Sequence, residues 1–213
     1  MWSCFLDFLF PRRSLTGREG AWVTEEERRG LRPCPVVLET ADLRRLGVQY
    51  VDRVIAATDY RDHSLVQRAV RMLKYRRIRS VAPELGGLLL GAAPFLLLRD
   101  RPSVCPVPLH WRRRFARGFN QAELLARGFA ERAGLEFAPV LRRTRWTGSQ
   151  VGRGRDERLS AMADAFRAVG GAVPSSIILV DDLSTTGSTL DHCAKALKRA
   201  GCAFVQGLVV AHG

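Results

Sequence analysis

Residues Ile177–Leu190 read IILVDDLSTTGSTL, and this stretch decides the fold. Four apolar residues, Ile177 to Val180, form a run rich in β-branched side chains. Such a run suits a strand buried on both faces of a parallel sheet. Asp181 and Asp182 follow, then a turn of small and hydroxyl residues, Leu183 to Thr189. A helical pattern starts at once, with Leu190, Ala194 and Leu197 on one face, and Gly201 placed to stop it. Ala203–Ala211 reads as the next strand. The unit is strand–loop–helix–strand, with its polar residues at the strand's carboxyl end, where open α/β sheets bind ligands.

The turn suits a phosphate. Successive N–H groups at a helix start converge on an anion, and a glycine lets the backbone approach closely. Ser184, Thr185, Thr186, Gly187, Ser188 and Thr189 are the candidate phosphate ligands. Asp181 and Asp182 would repel a phosphate at contact distance but accept hydrogen bonds from vicinal ribose hydroxyls. Neither GxxxxGK[ST] nor GxGxxG is present, so the stretch is not a nucleotide P-loop or a dinucleotide fingerprint. A plain Ser/Thr-rich turn with an ordinary helix cap is the alternative reading. The pattern of apolar strand, two acids, two variable positions, Thr-Thr-Gly, one variable position and Thr resembles the phosphoribosyl-pyrophosphate (PRPP) motif of type I phosphoribosyltransferases.

Composition sets the outer limits. The chain has 213 residues, enough for one good-sized domain and a small appendage. The net charge is +13, and residues 61–117 alone carry +10. That basic middle implies anionic ligands, either phosphates or nucleic acid. Only three of the 34 basic residues are lysine, so part of the excess reads as arginine scattered over solvated faces. The five cysteines are odd in number and form no CxxC, which predicts neither a disulfide framework nor a zinc site. The four histidines show no nucleophilic or metal spacing, so no metal-ligating set and no general base is assigned. MWSCFLDFLFPRR does not read as a secretion signal, and the apolar run Leu85–Leu98 is too short to cross a bilayer. A cytoplasmic protein without a membrane span is expected.

Outward from the motif, residues 1–49 predict a short apolar helix ending at Pro11 and then irregular structure through the charged run Glu25–Arg29. Thr40 is placed to cap a helix over Ala41–Leu46. Residues 50–60 predict a strand of alternating character. Ser64 then caps an amphipathic helix with Leu65, Val66, Ala69, Val70 and Leu73 inward. Ser80–Ala93 predicts an apolar helix, and Val104–Leu109 a strand broken at Pro106 or Pro108. His110–Asn120 is arginine-rich, and Asn120 with Glu123 predicts a capping box for a helix ended by Gly134. A strand is expected within Leu135–Arg145, a loop over Thr147–Asp156 and a short helix over Glu157–Phe166.

Several stretches together resemble the ComF family, bacterial phosphoribosyltransferase-like proteins linked to competence for DNA uptake. They are Asp59-Tyr60, Leu73-Lys74-Tyr75-Arg76, Val107-Pro108-Leu109, Arg117-Gly118-Phe119-Asn120-Gln121-Ala122, Thr147 with Ser149-Gln150, Arg158, Ala165-Phe166 and the 177–190 motif. The resemblance covers residues 50–213. It implies an α/β fold of the type I phosphoribosyltransferase kind: an open, mostly parallel twisted sheet flanked by helices, with a short irregular N-terminal extension over residues 1–49. Family members usually carry N-terminal CxxC pairs that look like a zinc ribbon; LFPRRSLTGREG has none. Three residues after Arg158, where the family tends to have asparagine, stands Ala161.

The reaction implied is displacement of pyrophosphate from C1 of PRPP by a nucleophile. Asp181 and Asp182 would hold the ribose, and the 184–189 turn the 5′-phosphate. Mg²⁺ would be carried on the pyrophosphate. Lys74, Arg117, Arg153, Arg155 and Arg158 are the candidate cations for the leaving group. The acceptor is not readable from the residues, and assembly with further copies stays open. A second class of function also fits: a non-catalytic competence factor on the same fold that binds PRPP or single-stranded DNA, the latter with Trp111, Phe115 and Phe119 interleaved with arginines, as part of a competence machinery.

Overall fold

The structure, a computed structural model, describes residues 12–109, 115, 117–144 and 165–213. Five strands make the main sheet. In chain order these are β1 (Val36–Leu38), β2 (Arg53–Asp59), β3 (Ser103–Pro106), β6 (Ser176–Ser184) and β7 (Phe204–His212). The spatial order is β1-β2-β7-β6-β3, parallel except for the antiparallel edge pair β1–β2. Two further strands, β4 (Leu141–Arg143) and β5 (Phe166–Ala168), pair antiparallel with each other. The sheet is thus the open, mostly parallel one expected, with helices on both faces.

Alternation along the central strands divides the interior in two. Ile178 and Val180 of β6 pack on one side with Val104, Leu208 and Val210. Helices α3 (Ser64–Tyr75), α4 (Ala82–Ala92) and α5 (Gln121–Ala133) cover that side. Ile177 and Leu179 face the other side, beneath α2 (Thr40–Arg45), α6 (Ser188–Arg199) and the β4–β5 pair. Gly207 makes the second layer close: a Cβ there would stand 2.9 Å from Leu190 Cδ1 of α6.

The chain winding places a crevice. After β3 the chain passes through α5 and returns as residues 136–138, which run parallel beside β3 at the outer edge. After β6 it passes through α6 on the opposite face and returns as β7, towards the middle. The direction of winding reverses between β3 and β6, and open sheets bind ligands outside such a reversal. Here β3 ends at Pro106, opposite Val180, while β6 continues to Ser184. Among the described residues, no strand pairs with the β3-side edge of Asp181 to Ser184, which borders the crevice.

Several local expectations need correcting. The charged run 25–29 is not irregular but forms helix α1 (Glu25–Gly30), closed by a Thr24–Glu27 capping box that the sequence reading passed over. Glu39, not Thr40, stands at the start of α2; the Thr40 hydroxyl donates to Asp52 O instead. His63, not Ser64, is the N-cap of α3. Asn120 stands at the N-cap of α5, but its Nδ2 donates to Val107 O at 3.1 Å and no side-chain cap forms. Strand β2 is buried on both faces from Val54 to Thr58, because both layers of the core pack on it, Ile55 and Ala57 into one and Val54 and Ala56 into the other, and so shows no alternation. Phe166 begins a strand rather than ending a helix; the rest of that expected helix, the 147–156 loop and the helix ending at Pro11 lie outside the described residues.

Candidate functional site

Strand β6 carries the two acids to opposite faces, as neighbours on a strand must be. Asp182 follows Ile178 and Val180 to the α3 side and is 5% exposed. Its Oδ1 lies 2.8 Å from Lys74 Nζ. Lys74 is in the last turn of α3, whose first turn follows β2 by only a few residues. The helix therefore crosses the carboxyl edge of the sheet from β2 to β6 rather than running along the strands. Lys74, expected on the pyrophosphate, is in the structure the counter-ion of Asp182.

Asp181 points to the α6 side and is half-buried. Its Oδ1 accepts the Asp182 N–H at 2.8 Å. Burial, and then the charge of Asp182, push its carboxyl up to about 7, against the pull of that hydrogen bond, Lys74 and Arg117. Asp181 thus lacks an ion-pair partner among the described residues, while its neighbour has one. Arg117 lies close enough for its charge to act on Asp181; its Nη1 donates to Gln121 Oε1 at 3.1 Å, and it sits 5.7 Å from the Tyr75 ring.

The turn after β6 is shorter than its sequence suggests. Ser184 belongs to the strand and is buried, so it sits at the base of the turn. Thr185 and Thr186 are exposed. Gly187 takes φ +74°, a left-handed conformation that favours glycine, and caps α6. A Cβ at Gly187 would also stand 2.9 Å from Val48 Cγ2. Ser188 and Thr189 open the helix, where the first N–H groups have no intrahelical partner. The Ser188 N–H reaches Thr186 Oγ1 at 3.4 Å. Acids, glycine turn and helix start are thus contiguous at the open end of β6.

Asp191 was missed by the sequence reading. Its carboxylate accepts the N–H groups of Gln49, Tyr50 and Val51, at 2.9 Å for Gln49 and 3.1 Å for Val51. This ties the segment carrying Val48 against the glycine turn. An acid in the first turn of a helix is ordinary in sequence, so nothing marked it.

Phe119 is 7% exposed, so it packs in the core, with Arg79 4.7 Å above its ring. Tyr75 and Phe115 are open to solvent, at 72% and 88% exposure. Arg153, Arg155, Arg158 and Trp111 lie outside the described residues. Among the described residues no group of three metal-ligating side chains occurs, and no helix is long and apolar enough to cross a membrane.

The chain is 33% identical over 161 residues to the DNA utilization protein YhgH of Salmonella typhimurium, covering 72% of this chain and 69% of that protein. The chain belongs to the ComF family. Competence protein ComFC of Streptococcus pneumoniae is 36% identical over 100 residues, covering 47% of this chain and 43% of its own. Competence protein F of Haemophilus influenzae is 32% identical over 111 residues, covering 49% and 47%. No protein-family model matches. Among solved structures, a Bacillus subtilis glutamine PRPP amidotransferase complexed with ADP and GMP aligns at TM-score 0.43 and 20% identity, over 62% of this chain and 26% of that one.

Proposed function

We propose that this ComF-family chain binds PRPP at the carboxyl edge of β6 and transfers its phosphoribosyl group to an acceptor, releasing pyrophosphate, in support of DNA uptake. One observation carries the reading: an acid pair, a left-handed glycine turn and a helix start are contiguous at the point where the sheet's winding reverses. The relatives' names, DNA utilization and competence, support the biological setting.

The first-turn N–H groups of α6 and the hydroxyls of Thr185, Thr186, Ser188 and Thr189 hold the 5′-phosphate. Asp181, the carboxylate of the two without an ion-pair partner among the described residues, accepts the ribose hydroxyls. Asp182, held by Lys74, supplies fixed negative charge beside it. An oxocarbenium-like transition state at C1 is stabilised by such charge. Arg117 faces the leaving group. In the transfer, the acceptor's electron pair forms the bond to C1 as the bond from C1 to the pyrophosphate oxygen breaks, and that pair leaves with pyrophosphate. The donor set suits Mg²⁺ carried on the pyrophosphate's own oxygens, because Asp182 is committed to Lys74 and no three-ligand group is described. The ion supplies charge neutralisation to the leaving group.

Thermal unfolding with and without PRPP and Mg²⁺ tests the reading. PRPP should raise the melting temperature. Replacing Asp181 and Asp182 together by alanine should weaken PRPP binding at least about tenfold, since charge-assisted hydrogen bonds are worth roughly 1.5–3 kcal/mol each. Asp181→Asn alone leaves the Lys74–Asp182 pair intact and should show the same loss in a folded protein. Unchanged PRPP affinity in both variants sinks the assignment.

A second reading rests on the exposed aromatic rings. Tyr75, exposed and 5.7 Å from the Arg117 guanidinium, offers a stacking face for single-stranded nucleic acid, and Phe115 is a second exposed ring. Single-stranded DNA should bind at low ionic strength and release steeply as salt rises. Lack of binding at low salt removes this role.

A further inference from the structure

The glycine turn at the end of β6 rests on a part of the chain that the family resemblance barely reaches. Helix α2 ends at Arg45, and Gly47, at φ +81°, turns the chain back on it. The Val48 N–H then donates to Leu43 O at 2.9 Å, and Arg44 Nη1 donates to Val48 O at 2.6 Å. Leu43, Val48 and Val51 are all buried, so the segment is fixed to the body of the protein on its own account.

Two separate contacts join this segment to the turn. One is steric: Val48 Cγ2 fills the place a Cβ of Gly187 would need, 2.9 Å from it. The other is polar. Asp191 gathers the N–H groups of three consecutive residues, Gln49, Tyr50 and Val51, on its Oδ1. The first bond within α6 runs from the Asp191 N–H to Gly187 O at 2.9 Å. The N–H groups of Thr189 and Leu190 stand ahead of that bond and are not spent on the helix. A carboxylate free to swing towards them would compete with a phosphate for the same donors. Drawn off to residues 49–51, Asp191 leaves them to the ligand.

We propose that residues 43–51 are a brace that sets the shape of the 5′-phosphate turn, with Asp191 as its positioning residue. Phosphate affinity is then controlled from the end of the N-terminal extension. The inference rests on the reading that this turn holds the 5′-phosphate of PRPP, and it adds a means of regulation to that site. Asp191 touches no part of the ligand; it acts through Val48 and the turn. Coupling of this kind is reciprocal. The turn binds phosphate best with the brace closed, and bound phosphate keeps the brace closed.

Isothermal titration of the full chain with ribose 5-phosphate, and separately with pyrophosphate and Mg²⁺, tests this. Asp191→Ala should weaken ribose 5-phosphate about tenfold, the scale of one lost hydrogen bond to a charged group, and leave pyrophosphate unchanged. Asp191→Asn keeps an oxygen for the three N–H groups and should restore most of the affinity. In the unsubstituted chain, saturating ribose 5-phosphate should slow amide exchange at Gln49, Tyr50 and Val51 by about the same factor, because the coupling is shared. Asp191→Ala should abolish that slowing. Should this variant fail to fold, Val48→Ala keeps the Asp191 bonds but removes the contact with the turn, and should also weaken ribose 5-phosphate. Unchanged ribose 5-phosphate affinity in the alanine variants, an equal loss for pyrophosphate, or exchange at residues 49–51 that ignores the ligand overturns the brace. Failure of the unsubstituted chain to bind ribose 5-phosphate would instead overturn the PRPP reading, and the brace with it, so the two failures are distinguishable.

Discussion

Two carboxylates of this chain, Glu27 and Asp181, are treated in opposite ways. Glu27 is 4% exposed and saturated with donors. Its Oε1 accepts from Ser14 Oγ at 2.8 Å, Thr16 N at 2.6 Å and Thr16 Oγ1 at 2.7 Å, and its Oε2 accepts Thr24 N at 2.8 Å. Burial alone would raise its pKa, but the donors of Thr24, Thr16 and Ser14 outweigh burial and hold it down at about 2. Asp181 has one backbone N–H, a negative neighbour and an exposed edge, and stands at about 7. A carboxylate fully supplied from within serves the fold. One with a single donor among the described residues, at the mouth of a crevice, suits the ligand-binding role proposed for it.

The largest effect expected from this contrast is at Glu27. A shift from 4.5 to about 2 is worth about 3 kcal/mol of stability near neutral pH. The depressed value means the contribution is present above the unfolded-state pKa and lost as pH falls towards 2. Glu27→Gln should therefore lower the melting temperature at pH 7 by roughly 6–12 °C for a chain of this size. The difference from the unsubstituted protein should shrink as the solution is acidified. An equal gap at neutral and low pH would show that the hydrogen-bonded carboxylate is not what holds the N-terminal turn.

Asp181 should respond in the opposite sense. A raised value means that the folded protein keeps a proton the unfolded chain has lost, so stability falls as pH rises from about 4 through 7. As an acceptor of ribose hydroxyls it works best ionised. PRPP affinity should rise by roughly tenfold between about pH 6 and 8, since the ionised fraction of a group titrating at about 7 rises roughly tenfold over that range, worth about 1.4 kcal/mol. Asp181→Asn should flatten that rise, leaving only the titration of PRPP itself. A slope that persists in the variant assigns it elsewhere.

The two centres were also unequally legible in the sequence. The motif around Asp181 could be read because its parts are local: a strand, two acids, a turn and a helix lie within fourteen residues, and each residue type has one evident use. Its environment could not be read the same way. The Lys74–Asp182 pair spans 108 positions and depends on α3 crossing the sheet edge. Which acid is paired and which is open follows from strand alternation and the end of β3, neither visible before the sheet is assembled. Glu27 was hidden for another reason. The run EEERR looks like solvated charge, and only the turn formed by Ser14 to Arg18 folds donors onto the third glutamate. Asn120 shows the converse: a correct cap position whose side chain found a better-placed partner in Val107 O.

The smallest effect separates the cap of α1 from the buried carboxylate it adjoins. Thr24 Oγ1 accepts the Glu27 N–H at 3.2 Å, while the Thr24 N–H donates to Glu27 Oε2. Thr24→Ala removes the first bond and keeps the second, which comes from the backbone. Loss of an N-cap acceptor costs about 1 kcal/mol. Stability at pH 7 should fall by that amount, yet the pH at which acid unfolding sets in should not move, because the donors to the carboxylate remain. Thr16→Val takes away a hydroxyl that donates to Oε1 directly, so it should shift acid unfolding to higher pH as well. If both substitutions move the acid limb alike, the helix cap and the carboxylate are one cooperative unit, and the low pKa of Glu27 belongs to the whole turn rather than to its individual donors.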